Sequence, residues 1–275
     1  MTDVFSLMGK RALIMGILNV TPDSFSDGGM YADTESAVRR AFDMQRQGAD
    51  IIDVGGESTR PGSDPVDAHE QIRRIVPVIK RISPFITVSA DTRNPSVAAA
   101  ALDAGASIIN DVSGTESDEM KSLASERRCK IVITHTRGTP KDMQKNTRYD
   151  DVVSEVYDFL RLRTEELAAA GVKRENIIID PGFGFGKSVE DNIRLIARLG
   201  EFRDLGFPIL TGVSRKSAIG EITGEPVPEK RLPGTAALVA VSVANGSYIV
   251  RVHDVEFMRK AALIGDAVNR INKEI

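Results

Sequence analysis

The sequence contains one cysteine, no tryptophan and few aromatics of any kind, 5% of its 275 residues. A single cysteine, Cys129, excludes an intrachain disulfide framework and a cysteine-based zinc site. It follows Arg127-Arg128 at an expected helix-to-strand joint, where it is read as a packing residue. No stretch approaches the roughly 18 apolar residues of a membrane span, so no membrane partner is expected. The first residues lack the pattern of a secretory signal, and the expected compartment is cytoplasmic. Positive charge is not in excess: the formal net charge of −3 argues against a nucleic-acid partner. Linkers rich in Pro, Gly and Ser, low-complexity tracts and blocks of like charge are also missing. Residues 1–275 therefore read as one domain. Two catalytic motifs are absent as well. There is no G-x-S-x-G elbow for a serine hydrolase and no H-E-x-x-H for a zinc hydrolase.

What is present is a repeated unit. Eight short apolar runs each stop at a polar residue. They end Leu18-Asn19, Ile52-Asp53, Val88-Ser89-Ala90-Asp91, Ile109-Asn110-Asp111, Ile133-Thr134-His135, Ile179-Asp180, Val213-Ser214-Arg215-Lys216 and Val250-Arg251-Val252-His253. Runs of this kind, separated by helical stretches, predict buried parallel strands, among them Lys130–Thr134 and Pro208–Val213. Helix signals fall between them. Asp33 or Thr34 caps a helix that Gly48 ends, and another spans Asp118–Arg127. Asp64-Pro65-Val66-Asp67 opens a helix to about Ile82, in which Pro77 predicts a kink or break. The chain is close to the roughly 250 residues of a (β/α)8 barrel, so the α/β class and a single TIM barrel are favoured. An open doubly wound sheet is the alternative, since periodicity does not register closure. In a barrel the strand ends converge on one face, where such enzymes keep their active sites.

The loops after these strands carry the chemistry. GILNVTPDSFSDGG, from Gly16, sets Phe25 in an otherwise polar stretch, as suits a lid over a flat ligand. IIDVGGESTRPG, from Ile51, offers Gly55 and Gly56 for close backbone approach and Arg60 for bidentate phosphate binding. Asp53 and Glu57 serve either a ligand or neighbouring loops. Asp91, Asn110 and Asp180 form a cradle of acceptors at three strand ends. It suits a planar heterocycle with amino and N–H edges, with a hard cation as the competing occupant. DPGFGFGK, from Asp180, is not a P-loop, because Pro181 stands where the first glycine is required. It reads instead as a glycine-rich loop holding Phe185 beside a flat ligand. Ser214-Arg215-Lys216-Ser217 and the substrate-binding segment Arg251-Val252-His253 bring positive charge to the quadrant where barrels bind phosphate. Strand alternation puts Arg251 and His253 on one face.

Together these segments, in order from Gly16 to about Asp254, closely resemble the dihydropteroate synthases. The resemblance implies a barrel, usually homodimeric, that joins 6-hydroxymethyl-7,8-dihydropterin diphosphate to p-aminobenzoate. Diphosphate is released and 7,8-dihydropteroate is formed, a step of folate biosynthesis with which sulfonamides compete. It further implies that Asp91, Asn110 and Asp180 bind the pterin amino group and ring nitrogens. Lys216 would reach the pterin carbonyl and N5 region, and Arg251 would lie against the ring near the diphosphate. Asn19, through Mg2+, would hold the diphosphate together with Arg60 and His253. Phe25, Thr59, Pro61 and Ser217 would frame the aminobenzoate, and Asp27 would stabilise positive charge on the pterin. Asp27, Lys216 and Arg251 are thus the expected catalytic residues.

The chemistry suits those residue types. Diphosphate leaves readily once cations neutralise it, so bond cleavage can run ahead of attack. The cationic pterin left behind needs a nearby carboxylate and little water. An aniline nitrogen is already nucleophilic, so no strong general base is required. One segment departs from the resemblance: strand five ends Thr134-His135-Thr136, where Met-His-Met or similar is common. Losing an apolar pocket contact is expected to weaken pterin binding by about 1–2 kcal/mol. That departure sustains a rival reading, a pterin-binding paralogue without synthase activity. A corrinoid methyltransferase is the other rival, and it has no use for the diphosphate residues.

Overall fold

A computed structural model describes residues 4–21, 29–57, 65–138 and 147–274. The strands are β1 (Leu13–Asn19), β2 (Ile51–Gly55), β3 (Thr87–Asp91), β4 (Ile108–Asp111), β5 (Lys130–Thr134), β6 (Ile177–Asp180), β7 (Leu210–Thr211) and β8 (Ile249–Val252). They are parallel and hydrogen-bonded in the order β6-β5-β4-β3-β2-β1-β8-β7. The ends of that order meet at a bridge between Ile179 and Ile209, where the Ile179 N–H donates to the Pro208 carbonyl at 3.0 Å. The sheet is thus a barrel and not an open doubly wound sheet.

Between and after the strands run α1 (Gly29–Gln47), α2 (Ala68–Ile82), α3 (Pro95–Asp103), α4 (Asp118–Arg127), α5 (Val152–Ala169), α6 (Val189–Ala197), α7 (Ser217–Thr223), α8 (Leu232–Ala244) and α9 (Val255–Glu274). Side-chain caps fix several starts: Asp67 accepts from the Glu70 N–H, Ser117 from Met120 and Asp151 from Val153. Helix α2 passes through Pro77 without the expected break. An interior proline costs about 3 kcal/mol. Ile75, Val78, Ile79 and Ile82 are fully buried on the same helix, each contributing about 1.5–3 kcal/mol, and together they outweigh it. Strand seven pairs over Leu210–Thr211, a shorter stretch than the expected Pro208–Val213.

Alternation sorts the strand residues into two layers. Leu13, Met15, Ile51, Ile108, Val132, Ile178, Leu210 and Ile249 fill the barrel interior. Ile14, Leu18, Ile52, Val54, Val88, Ala90, Val250 and Val252 face the helices, as do Ile109, Ile131, Ile133, Ile177 and Ile179. By parity, Asn19, Asp53, Gly55, Asp91, Asn110, Thr134, Asp180, Arg251 and His253 belong to the inner face, towards the strand C-termini. The opposite end is covered by a 3-10 turn, Val4–Leu7, whose Val4, Phe5 and Leu7 pack on the inner cluster. Lys130, at the start of β5, sets its ammonium 4.4 Å from the Phe5 ring centroid.

Candidate active site

Above the apolar interior the barrel carries a layer of charge. Arg251 reaches from β8 across the mouth. Its Nε donates to Asp53 Oδ2 at 2.6 Å, and an Nη donates to Asp91 Oδ2 at 2.5 Å. Asn110 Nδ2 donates to the same Asp53 oxygen at 3.0 Å. Asp53 is completely buried, and the residue without a definite sequence role is the hub that holds Arg251 and Asn110. A guanidinium shared by two carboxylates is what lets three charges coexist away from water. The other oxygens, Asp53 Oδ1 and Asp91 Oδ1, are buried and have no hydrogen-bond partner. Burial pushes the Asp91 carboxyl up, against the pull of Arg251. Burial likewise pushes Asp180 up to about 6, opposed by the Gly182 N–H and Lys216. Burial disfavours charge on Arg251, yet Asp53 and Asp91 outweigh it and hold its proton more firmly.

Lys216 enters from the side of β7. Arg215 adopts the left-handed conformation with φ 59, which separates two adjacent cations. The Arg215 guanidinium turns away to Asp254, at 2.9 and 2.7 Å. The Lys216 ammonium turns inward and lies 3.9 Å from the centroid of the Phe185 ring. A Cβ at Gly184 would come within 2.8 Å of Lys216 Cδ, so glycine there leaves room for the lysine stem. Burial, reinforced by Arg251, lowers Lys216 to about 8, while Asp180 and Asp91 pull the other way.

The loop beneath Lys216 is clamped on every side. Asp180 Oδ1 accepts the Gly182 N–H at 2.8 Å, and Asn192 Oδ1 accepts the Gly184 N–H at 2.6 Å. The Tyr149 hydroxyl donates to the Gly186 carbonyl at 2.9 Å. Lys187, itself buried, donates to the carbonyls of Gly182 at 2.9 Å and Phe185 at 3.0 Å. Its ammonium also lies 2.8 Å from His135 Nδ1, which must then accept, placing the ring proton on Nε2. Burial first, then the charge of Lys187, lowers His135 to about 2, so this imidazole stays neutral. Burial also lowers Lys187, to about 7. Sequence reading gave Lys187, Asn192 and Tyr149 no role. A signal was available for Lys187, because a lysine ending an apolar glycine-rich loop needs acceptors, and loop carbonyls are the nearest.

The expected site residues are thus partly assembled. Asp91, Asn110, Asp180, Lys216 and Arg251 meet at the mouth. His253 stands at the end of β8, where Ser214 Oγ accepts its backbone N–H at 3.2 Å and lies 3.0 Å from Nδ1. Ser214 Oγ thus holds both the backbone and the ring of His253 in place. Asn19 closes β1 beside Asp91: both Asn19 Oδ1 and Asp91 Oδ2 lie 3.6 Å from where a Cβ on Gly55 would stand. Ser217 opens α7 and is exposed. Two expectations are corrected. The Val252 side chain has the opposite parity and is buried between barrel and helices, so it is not a mouth contact. Arg215 pairs with Asp254 instead of adding charge to the mouth. Phe25, Asp27, Thr59, Arg60 and Pro61 lie outside the described residues. Among the described residues no group of three or more His, Cys, Asp and Glu could hold a metal. The guanidinium on Asp91 also opposes a cation in the acceptor cradle, which favours the heterocycle there.

These features define a class: an α/β-barrel enzyme whose mouth pairs acceptors for a flat, N–H-bearing ring with cations for an anionic group. The chain matches the family of pterin binding enzymes over residues 15–253. It is 44% identical over 265 residues to the dihydropteroate synthase of Synechocystis sp., covering 95% of this chain and 92% of that protein. Its structure matches a Clostridium difficile dihydropteroate synthase solved with pteroic acid, with a TM-score of 0.90 and 46% identity over 98% of this chain and 100% of that one. A Xanthomonas albilineans dihydropteroate synthase in complex with 7,8-dihydropteroate matches with a TM-score of 0.85 and 40% identity, over 94% of each chain. The chain belongs to the pterin-binding enzymes, in the dihydropteroate synthase family.

Proposed function

We propose that this chain is a transferase that condenses 6-hydroxymethyl-7,8-dihydropterin diphosphate with p-aminobenzoate in folate biosynthesis, giving 7,8-dihydropteroate and diphosphate. One observation carries the reading. The Arg251-bridged Asp53 and Asp91, with Asn110 and Asp180, face a Lys216 ammonium seated on Phe185. In this reading Asp91, Asn110 and Asp180 take the amino and N–H edge of the pterin. Lys216 donates to the carbonyl and N5 region. Arg251 lies against the ring, and the His253 imidazole serves the diphosphate, with Arg60 beside it. The bond between the 6-methylene carbon and oxygen breaks, its electron pair leaving with diphosphate. Asp27 offsets the positive charge left on the pterin. The aniline nitrogen, framed by Phe25, Thr59, Pro61 and Ser217, then forms the new C–N bond and loses a proton.

Mg2+ fits this chain as a companion of the substrate. It is ordinarily held by one or two protein oxygens with phosphate oxygens and water completing the shell. Asn19 Oδ1, at the end of β1 beside Asp91, offers such an oxygen. When bound, the ion supplies positive charge to the leaving diphosphate. The reading extends to a cytoplasmic homodimer joined through α9. There Phe257, Ile264, Val268 and Ile271 form an exposed apolar stripe at helical spacing.

The test is diphosphate release by the purified protein, expected only when pterin diphosphate, p-aminobenzoate and Mg2+ are present together. Lys216→Ala should weaken pterin diphosphate binding about 100-fold or more while leaving the fold intact by circular dichroism, since the side chain serves the mouth and not the apolar core. No turnover with all three components, or unchanged affinity in the variant, would overturn the reading.

A further inference from the structure

Eight buried side-chain atoms among the described residues have no hydrogen-bond partner. Four of them belong to inward-facing strand positions: Asp53 Oδ1, Ser89 Oγ, Asp91 Oδ1 and Thr134 Oγ1. Of the two carboxylates, Asp91 is accounted for by the proposed function as an acceptor for the N–H edge of a ring, and Asp53 is the hub that holds Arg251 and Asn110. Ser89 lies a layer deeper, opposite Asp53 and Ile108 in the ladders. Thr134 is different. It is the last residue of β5, the ladder neighbour of Asp180, and 1% exposed. Its parity is that of Val132, which fills the barrel interior, whereas Ile131 and Ile133 face the helices.

An unpaired buried hydroxyl is unfavourable to the free protein, and valine would fill the same volume without that penalty. Such an atom at the rim of a ligand site makes physical sense when the ligand supplies the missing partner. An ionised carboxylate beside it can only accept, whereas a threonine hydroxyl also donates. We infer that Thr134 is a specificity-determining residue, whose hydroxyl donates to an acceptor on the ring edge of the bound substrate, next to the N–H that Asp180 accepts. The inference rests on the proposed function. It also gives the departure at strand five a meaning, since threonine adds a polar contact where an apolar one was expected to be lost.

The experiment is calorimetric titration of Thr134→Val and Thr134→Ser with 6-hydroxymethyl-7,8-dihydropterin diphosphate and Mg2+, beside the thermal midpoint of each free protein. Thr134→Val should bind about tenfold more weakly, with an equal or higher midpoint and a KM for p-aminobenzoate within about twofold of the parent. Thr134→Ser, which keeps the hydroxyl, should stay within about threefold of the parent affinity. Parent-like affinity in Thr134→Val would show that water satisfies the hydroxyl, and would overturn the inference. Weakening of Thr134→Ser as large as that of Thr134→Val would show that keeping the hydroxyl does not keep the affinity, with the same consequence. A lowered midpoint of free Thr134→Val would mean that the hydroxyl already has a protein partner, and would also overturn it. Parent protein that binds no pterin diphosphate defeats the proposed function itself. Parent binding with an indifferent Thr134→Val defeats this inference alone.

Discussion

Asp180 is 6% exposed, with one carboxyl oxygen taken by the Gly182 N–H and its pKa pushed up to about 6 from an ordinary 3.8. The folded protein therefore holds this proton more tightly than the unfolded chain. Its contribution to stability is fully present below about pH 4 and is lost as pH rises through about 6. Asp180→Asn keeps the acceptor for Gly182 and removes the buried charge. At pH 8 the variant should be more stable by about 1–3 kcal/mol, seen as a thermal midpoint several degrees higher. The gain should vanish near pH 4, and the variant's kcat/KM should fall at least about 100-fold at every pH above 6. A midpoint difference independent of pH would mean that the charge is not the source. Asp53 shows why such detail was only partly legible beforehand. Its place in a strand and its parity with Gly55 are visible in the sequence. Its partner Arg251 lies 198 residues away, and no local periodicity encodes a contact across the barrel.

The loop from Asp180 to Lys187 shows the same division at the scale of an element. Its glycines at 182, 184 and 186 all adopt positive φ, between 65 and 83. That composition announces a tight turn, but says nothing of what holds it. Much of the holding is done by Lys187, and Lys187→Met should leave the Phe185 carbonyl unpaired in a buried setting and the Gly182 carbonyl with only the Phe185 N–H. A loss of about 2–4 kcal/mol in unfolding free energy is expected. Phe185 and Gly184 support Lys216, so KM for the pterin substrate should rise about tenfold or more. Denaturant titration and steady-state kinetics check the two parts. Full stability in the variant would mean that Asp180, Asn192 and Tyr149 suffice as clamps. Elsewhere, local signals performed well where they act alone. The limits of α4 and β5 follow from a capping serine and from a buried apolar run. The break they allowed at Pro77 is absent, where packing on α2 decides the outcome, and strand seven pairs over fewer residues than they suggested.

For the molecule as a whole, eight repeated units made the barrel readable, since each strand needs both faces covered. Subunit contacts leave a weaker trace, because an apolar helix stripe serves a core and an interface alike. Here Ile264 is 64% exposed, and Phe257, Val268 and Ile271 continue the stripe along α9. Light scattering should report a dimer for the parent and a monomer for Ile264→Asp, because a carboxylate in an apolar interface is strongly disfavoured. An unchanged mass would place the contact on another face.

The 3-10 turn Val4–Leu7 bears on the opposite end of the chemistry. With Phe5 and its neighbours packed against the inner cluster, the described residues plug the barrel at the start of its strands. That end offers solvent no route to Asp53, Asp91 and Arg251, which lie towards the strand C-termini where the proposed substrates bind. Filling the substrate end drains the polar layer as well as occupying it, so the bound ring itself determines how dry the bond-breaking step is.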